Sequence, residues 1–125
     1  MASAYDAQNV FARMLRREVP CQALYEDAYV LAFPDLHPKA PVHVLLVPKG
    51  PYPHGSSFYT QAPEAFLAGF FRGVGAVIQQ LGVGVKGYRL ISNEGLEGGQ
   101  EVPHFHLHLL AGRPLGPLLS SPPCR

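Results

Sequence analysis

Cysteine is scarce in this chain: Cys21 and Cys124 stand near opposite ends of its 125 residues, and no Cys-x-x-Cys pair occurs. That spacing supports neither a disulfide framework nor a thiolate zinc site, and a reducing, cytoplasmic setting is the expectation. An excess of charge of one sign is also missing. Ten Lys and Arg face nine Asp and Glu, for a net charge of +1. This balance excludes the electrostatic pull of a nucleic-acid or membrane-surface binder. Long hydrophobic runs are absent as well, the longest being about seven residues, as at Ala65–Phe71, where a membrane span takes roughly twenty. The first residues lack the basic stretch and apolar run of a signal peptide.

What is present suits one folded domain. Hydrophobic residues make up 47% and charged residues 15%, enough apolar material for a core and too little charge for a disordered chain. Thirteen Gly and thirteen Pro call for many turns between short elements. Val10, Phe11, Met14 and Leu15 fall at helical spacing, with Asn9 or Asp6 as cap and Pro20 beyond the end. Strand-like runs follow at 23–25 and 29–33, turning at Glu26-Asp27. The prolines at 34, 38 and 41 stiffen a loop, and His43–Val47 reads as a strand covered on both faces. Residues 48–63 read as a Pro-, Gly- and Ser-rich loop. A long helix then starts near Pro63, buries Phe66, Phe70, Val74, Val77, Ile78 and Leu81, and stops at Gly82. Tyr88–Ser92 and His104–Leu110 are strands, joined by a flexible connector over 95–99. The predicted fold is α+β: a mostly antiparallel sheet of about five strands with one long and one short helix.

Half of the six histidines lie in one segment, His104-Phe-His-Leu-His-Leu-Leu110. On a strand, alternate side chains share a face. His104, His106 and His108 therefore line one side, about 6.5–7 Å apart in succession, while Phe105, Leu107 and Leu109 enter the core. A neutral imidazole is a nucleophile near neutral pH and a neighbouring ring can orient it or contact the group under attack. His-x-His is also metal-ligand spacing, although Glu101 is the single carboxylate beside it. Asn93 and the glycines at 95, 98 and 99 lead into this segment, and glycines let backbone N–H groups approach an anion.

The run from Tyr88 to Arg113 resembles the signature of the histidine-triad (HIT) superfamily, and more narrowly its Hint branch of nucleotide-binding proteins. Blocks at 11–20, 25–27, 31–43 and 47–49 match as well, so the likeness covers about 10–113, as one domain over 1–125 with a proline-rich tail at 114–125. The resemblance implies a homodimer that binds purine nucleotides of the AMP or GMP type. It would hydrolyse nucleoside 5′-phosphoramidates without metal or cofactor, through a nucleotidyl-histidine. His106 would attack the phosphorus, His108 would contact the phosphate, and His43 and His104 would complete the cluster. Asn93, Gly99, Gln100 and Glu101 would cradle the phosphate. Asp35 would bind the ribose hydroxyls, and Phe33, Leu36, Phe11 and Met14 would enclose the base; ordinary core packing is the plainer reading of Phe11 and Met14. Glu101 stands where that branch usually has Ser or Thr. Phe105 argues against the nucleotidyltransferase branch, which carries His-Pro-His. Two other functions compete: hydrolysis of dinucleoside polyphosphates such as Ap3A or Ap4A, and a non-catalytic nucleotide- or zinc-binding module.

Overall fold

The computed structural model describes residues 4–120. Cys124 and the prolines at 122 and 123 lie outside the described residues. In chain order the elements are α1 (Val10–Leu15), β1 (Tyr25–Glu26), β2 (Val30–Pro34), β3 (Val42–Pro48), α2 (Gly55–Gln61), α3 (Glu64–Leu81), β4 (Tyr88–Ser92), α4 (Gly95–Gly98) and β5 (Leu107–Ala111). The strands form one sheet in the order β1-β2-β3-β5-β4, with every neighbouring pair antiparallel. The five-stranded α+β architecture is the one expected. No described helix is long and apolar enough to cross a membrane.

Period-two alternation divides the apolar residues between two layers. Val30, Ala32, Val44, Leu46, Phe105, Leu107 and Leu109 point to one side, where Phe58, Phe70, Val74 and Val77 of α2 and α3 cover them. Leu31, Phe33, Leu45 and Val47 point to the other, against Phe11 of α1. This double cover explains why β3 is apolar on both faces. The β1–β2 turn is tied by Asp27, whose Oδ1 accepts from the backbone N–H groups of Tyr29 at 2.7 Å and Val30 at 2.9 Å.

α1 is capped by Asn9, whose side chain accepts from the Ala12 N–H at 2.9 Å. α3 follows Pro63 and ends at Gly82, which sits in the left-handed region at φ 66°. Glycine fits there because it has no Cβ to clash with the following carbonyl. Gly69 and Gly73 bring α3 onto the sheet: a Cβ at Gly69 would enter the ring of Tyr29, and one at Gly73 would strike Val30.

Three expectations are corrected. Residues 48–63 are not one loop, because α2 occupies Gly55–Gln61. His54 and Ser57 cap it reciprocally, and Phe58, fully buried, stacks on Phe105 with ring centroids 5.1 Å apart. One aromatic anchor in a short segment leaves no periodicity to read. The connector over 95–99 is a helical turn, α4, closed by Gly99 at φ 78°. The last strand begins at Leu107 rather than His104. Both its pairings end there: β4 stops at Ser92, opposite Leu107, and β3 pairs with β5 only as far as Leu46. Ahead of that point Phe105 donates its N–H to the Tyr52 carbonyl at 2.7 Å instead of to a strand.

Candidate active site

A cavity of about 630 Å³ opens on the α1 side of the sheet, at the junction of β2, β3 and β5 with the segment that follows β4. His106 and His108 form its floor together with His43, and Asp35, Asn93, Gly99 and Glu101 stand around it. Phe11, Met14, Phe33 and the largely exposed Leu36 make its apolar wall. His37, Lys39 and Ile91 also line it. Of the residues singled out from the sequence, His104 and Gln100 do not. His104 lies fully buried behind the floor. Gln100 acts as a clamp: its Nε2 donates to the carbonyls of Pro53 at 2.7 Å and Val102 at 2.9 Å, and its Oε1 accepts from the Gly95 N–H at 3.3 Å. Asn93 ties the same turn by donating from Nδ2 to the Gly98 carbonyl at 2.6 Å.

The alternating faces survive although the strand is shorter than expected. Phe105 enters the core beneath α2, while His106 packs edge-on against Phe11, ring centroids 5.0 Å apart. His106 and His108 are neighbours at 5.1 Å between centroids, closer than ideal strand spacing.

Hydrogen bonds fix the tautomer of every ring in the cluster. The Nδ1 of His106 lies 2.7 Å from the His104 carbonyl oxygen. A carbonyl only accepts, so Nδ1 carries the proton and Nε2 keeps a bare lone pair. On His43, Nδ1 accepts from the Lys39 backbone N–H at 3.0 Å. Its proton therefore sits on Nε2, which is 2.9 Å from the Nδ1 of His108 and 3.4 Å from a carboxylate oxygen of Asp35. That donation makes the Nδ1 of His108 an acceptor and leaves its other nitrogen, Nε2, as an N–H donor. The pair on the cavity floor thus offers one lone pair and one hydrogen. Such a pair is chemically able to supply a nucleophile and an anion-binding donor side by side.

Burial keeps these rings neutral. It pushes His108 down to about 4, helped by the neighbouring His106 and His43 and opposed by Asp35. His104 is likewise held down to about 4 by burial. His106 is lowered by burial, against the opposing pull of the His104 carbonyl and the carboxylates of Asp35 and Glu101. His43 is lowered by burial too, with Asp35 opposing. Neutral imidazoles are what nucleophilic attack requires.

Asp35, His43 and His108 each offer a ligand atom, all within 4.8 Å of one another. A metal ion would need the Nε2 lone pair of His43. That would move the proton to Nδ1 and set it against the N–H of Lys39, donor facing donor. The hydrogen-bond pattern favours the proton-bridged pair over an ion. Asp35 is itself positioned by the chain: its Oδ1 accepts from the His37 N–H at 2.8 Å, and its backbone N–H donates to the His43 carbonyl at 2.9 Å.

Sequence reasoning missed the Lys39 backbone N–H and the Tyr5 hydroxyl, which lies 2.7 Å from the Nδ1 of His104. A main-chain donor leaves no mark in residue identity, and Tyr5 is 99 positions away from its partner.

The family model described as HIT domain matches residues 16–115. A HIT-like protein of Azospirillum brasilense is 49% identical over 120 residues, covering 96% of this chain and 98% of that one. The purine nucleoside phosphoramidase of Escherichia coli is 40% identical over 113 residues, 90% of this chain and 94% of the enzyme. Among solved structures, a HIT family hydrolase from Clostridium thermocellum superposes with a TM-score of 0.78 at 39% identity, covering 90% of this chain and 97% of that one. Sequence, fold and the histidine-rich strand agree: the chain belongs to the HIT domain family.

Proposed function

We propose that the protein hydrolyses purine nucleoside 5′-phosphoramidates by nucleotidyl transfer to His106. The observation that carries this reading is the tautomer pattern of the cavity floor, with a bare Nε2 on His106 beside an N–H donor on His108. The similarity to a purine nucleoside phosphoramidase supports the substrate class. In the first step the His106 Nε2 lone pair attacks the α-phosphorus. The P–N bond to the amine breaks, and the amine leaves with a proton taken from solvent, which is returned when the water of the second step gives up its own. Water then attacks the phosphorus, the His106–P bond breaks, and the mononucleotide is released. His108 donates to a phosphate oxygen, where charge grows in both transition states. Asp35 receives the ribose hydroxyls, since a carboxylate accepts from both members of a diol. Phe33, Leu36, Phe11 and Met14 enclose the base. Asn93, Gly99 and Glu101 face the phosphate from the α4 turn. Gln100 acts through its clamp on that turn rather than by contact, and His104 acts from behind His106.

A fluorogenic adenosine phosphoramidate tests the proposal. Turnover should be insensitive to a chelator and fall on the order of a thousandfold or more in His106→Ala. Undiminished turnover in that variant discards the nucleophile. Faster cleavage of Ap3A or Ap4A than of the phosphoramidate transfers the site to polyphosphates, and tightly held zinc without hydrolysis makes it a binding module.

The assembly read from the resemblance is a homodimer built on α3 and β4. It is supported by the free edge of β4 and by the exposure of Tyr88 and Leu90 on that strand and of Phe71 on α3. A second copy paired there would cover both the ladder and the apolar side chains.

A further inference from the structure

His104 does not line the cavity, yet every polar atom of its ring is engaged. Its Nε2 lies 3.0 Å from the Pro48 carbonyl oxygen, so this nitrogen carries the proton. Its Nδ1 is then an acceptor, and it receives the Tyr5 hydroxyl at 2.7 Å. The ring is fully buried and packs edge-on against both Tyr5 and Phe11. The main-chain carbonyl of the same residue accepts the Nδ1–H of His106 at 2.7 Å. The other tautomer of His104 would aim a lone pair at the Pro48 oxygen and a proton at Nδ1. The Pro48 carbonyl therefore selects the tautomer, and the Tyr5 hydroxyl, able to donate or accept, supplies the donor that the resulting Nδ1 lone pair needs and fixes the ring in place.

We propose that Tyr5 is a positioning residue for the hydrolysis: its hydroxyl locks the His104 ring, and His104 in turn holds its carbonyl on His106 so that Nε2 stays bare and aimed at the phosphorus. This inference rests on His106 being the nucleophile. Tyr5 precedes the residues 16–115 that match the family model, so the lock is supplied from outside that matched region. Tyr5 is not among the residues that line the cavity, and its effect belongs to the chemical step rather than to substrate binding.

The Tyr5→Phe variant keeps the ring and removes one hydroxyl. Expected is a fall in kcat of about tenfold, within the range that a small misplacement of a reacting group costs, with KM for the adenosine phosphoramidate unchanged within about twofold. Nitrogen NMR of the imidazole rings gives a second readout that needs no substrate. The wild-type protein should show His104 protonated at Nε2 and His106 at Nδ1, and the variant should show His106 exchanging between tautomers as the His104 carbonyl loses its fixed position. Unchanged kcat together with unchanged ring spectra would overturn the proposal. A lower melting temperature with full kcat would also overturn it, since it would make Tyr5 a packing residue only. Turnover that survives His106→Ala removes the nucleophile instead, and the ring spectra of Tyr5→Phe then judge the lock by themselves.

Discussion

The hydrogen that His108 presents to the cavity is fixed from two hydrogen bonds away, by the main-chain N–H of Lys39. A backbone N–H cannot change its protonation, so the relay through His43 has a fixed direction. The His106 ring is treated similarly, with its far nitrogen held by a carbonyl. This has a consequence for pH. In the proposed mechanism His106 must be neutral to attack, and burial lowers it from the ordinary value of 6.5. Protonation, and with it the loss of activity, is displaced to more acidic conditions. The acid limb of kcat/KM for the phosphoramidate should therefore lie below pH 6.5; a midpoint at or above that value would contradict the shift. At this scale the sequence was informative about side chains and silent about their partners. Nothing in residue type says that His104 stands behind the floor, whereas His106, His108, Asp35 and Asn93, which line the cavity, could be picked out because residue type advertises their chemistry. The tautomers could not, because carbonyls of His104 and Pro48 and the amide of Lys39 set them.

Among the elements, α3 was legible end to end. Its apolar spacing, the proline before it and the glycine after it all act locally. What its glycines do is tertiary. Alanine at position 73 would gain up to about 1 kcal/mol of helix propensity, but its Cβ would strike Val30, and overpacking of this kind costs about 1–3 kcal/mol. Gly73→Ala should therefore lower the stability in urea unfolding. A rise would mean that Val30 yields and propensity wins. Gly75 has open space where its Cβ would stand, so within the protomer nothing opposes propensity there. α2 was illegible for the opposite reason. Its existence depends on Phe58 finding Phe105 and Phe70, contacts that no local pattern announces. The start of β5 was misplaced because alternation of residue type continues through His104 while the ladder does not.

For the whole molecule, the order β1-β2-β3-β5-β4 leaves β4 with one unpaired side. Light scattering at micromolar concentration should report twice the chain mass of 13.6 kDa; the protomer mass would count against pairing through that edge. The fold class could be read because apolar runs, turns and caps agreed with one another. The strand order could not, since the neighbour of β3 is β5 and not the strand next in sequence.

The sheet also sorts the chain by odd and even position. Along β3, Val44 and Leu46 look toward the helices while His43 and Leu45 look toward the cavity. The segment at 106–110 repeats the division, with Leu107 and Leu109 on one side and His106, His108 and Leu110 on the other. Adjacent residues in these strands therefore answer to separate demands, one for cohesion and one for chemistry. Variation at either set can proceed with little trespass on its immediate neighbour.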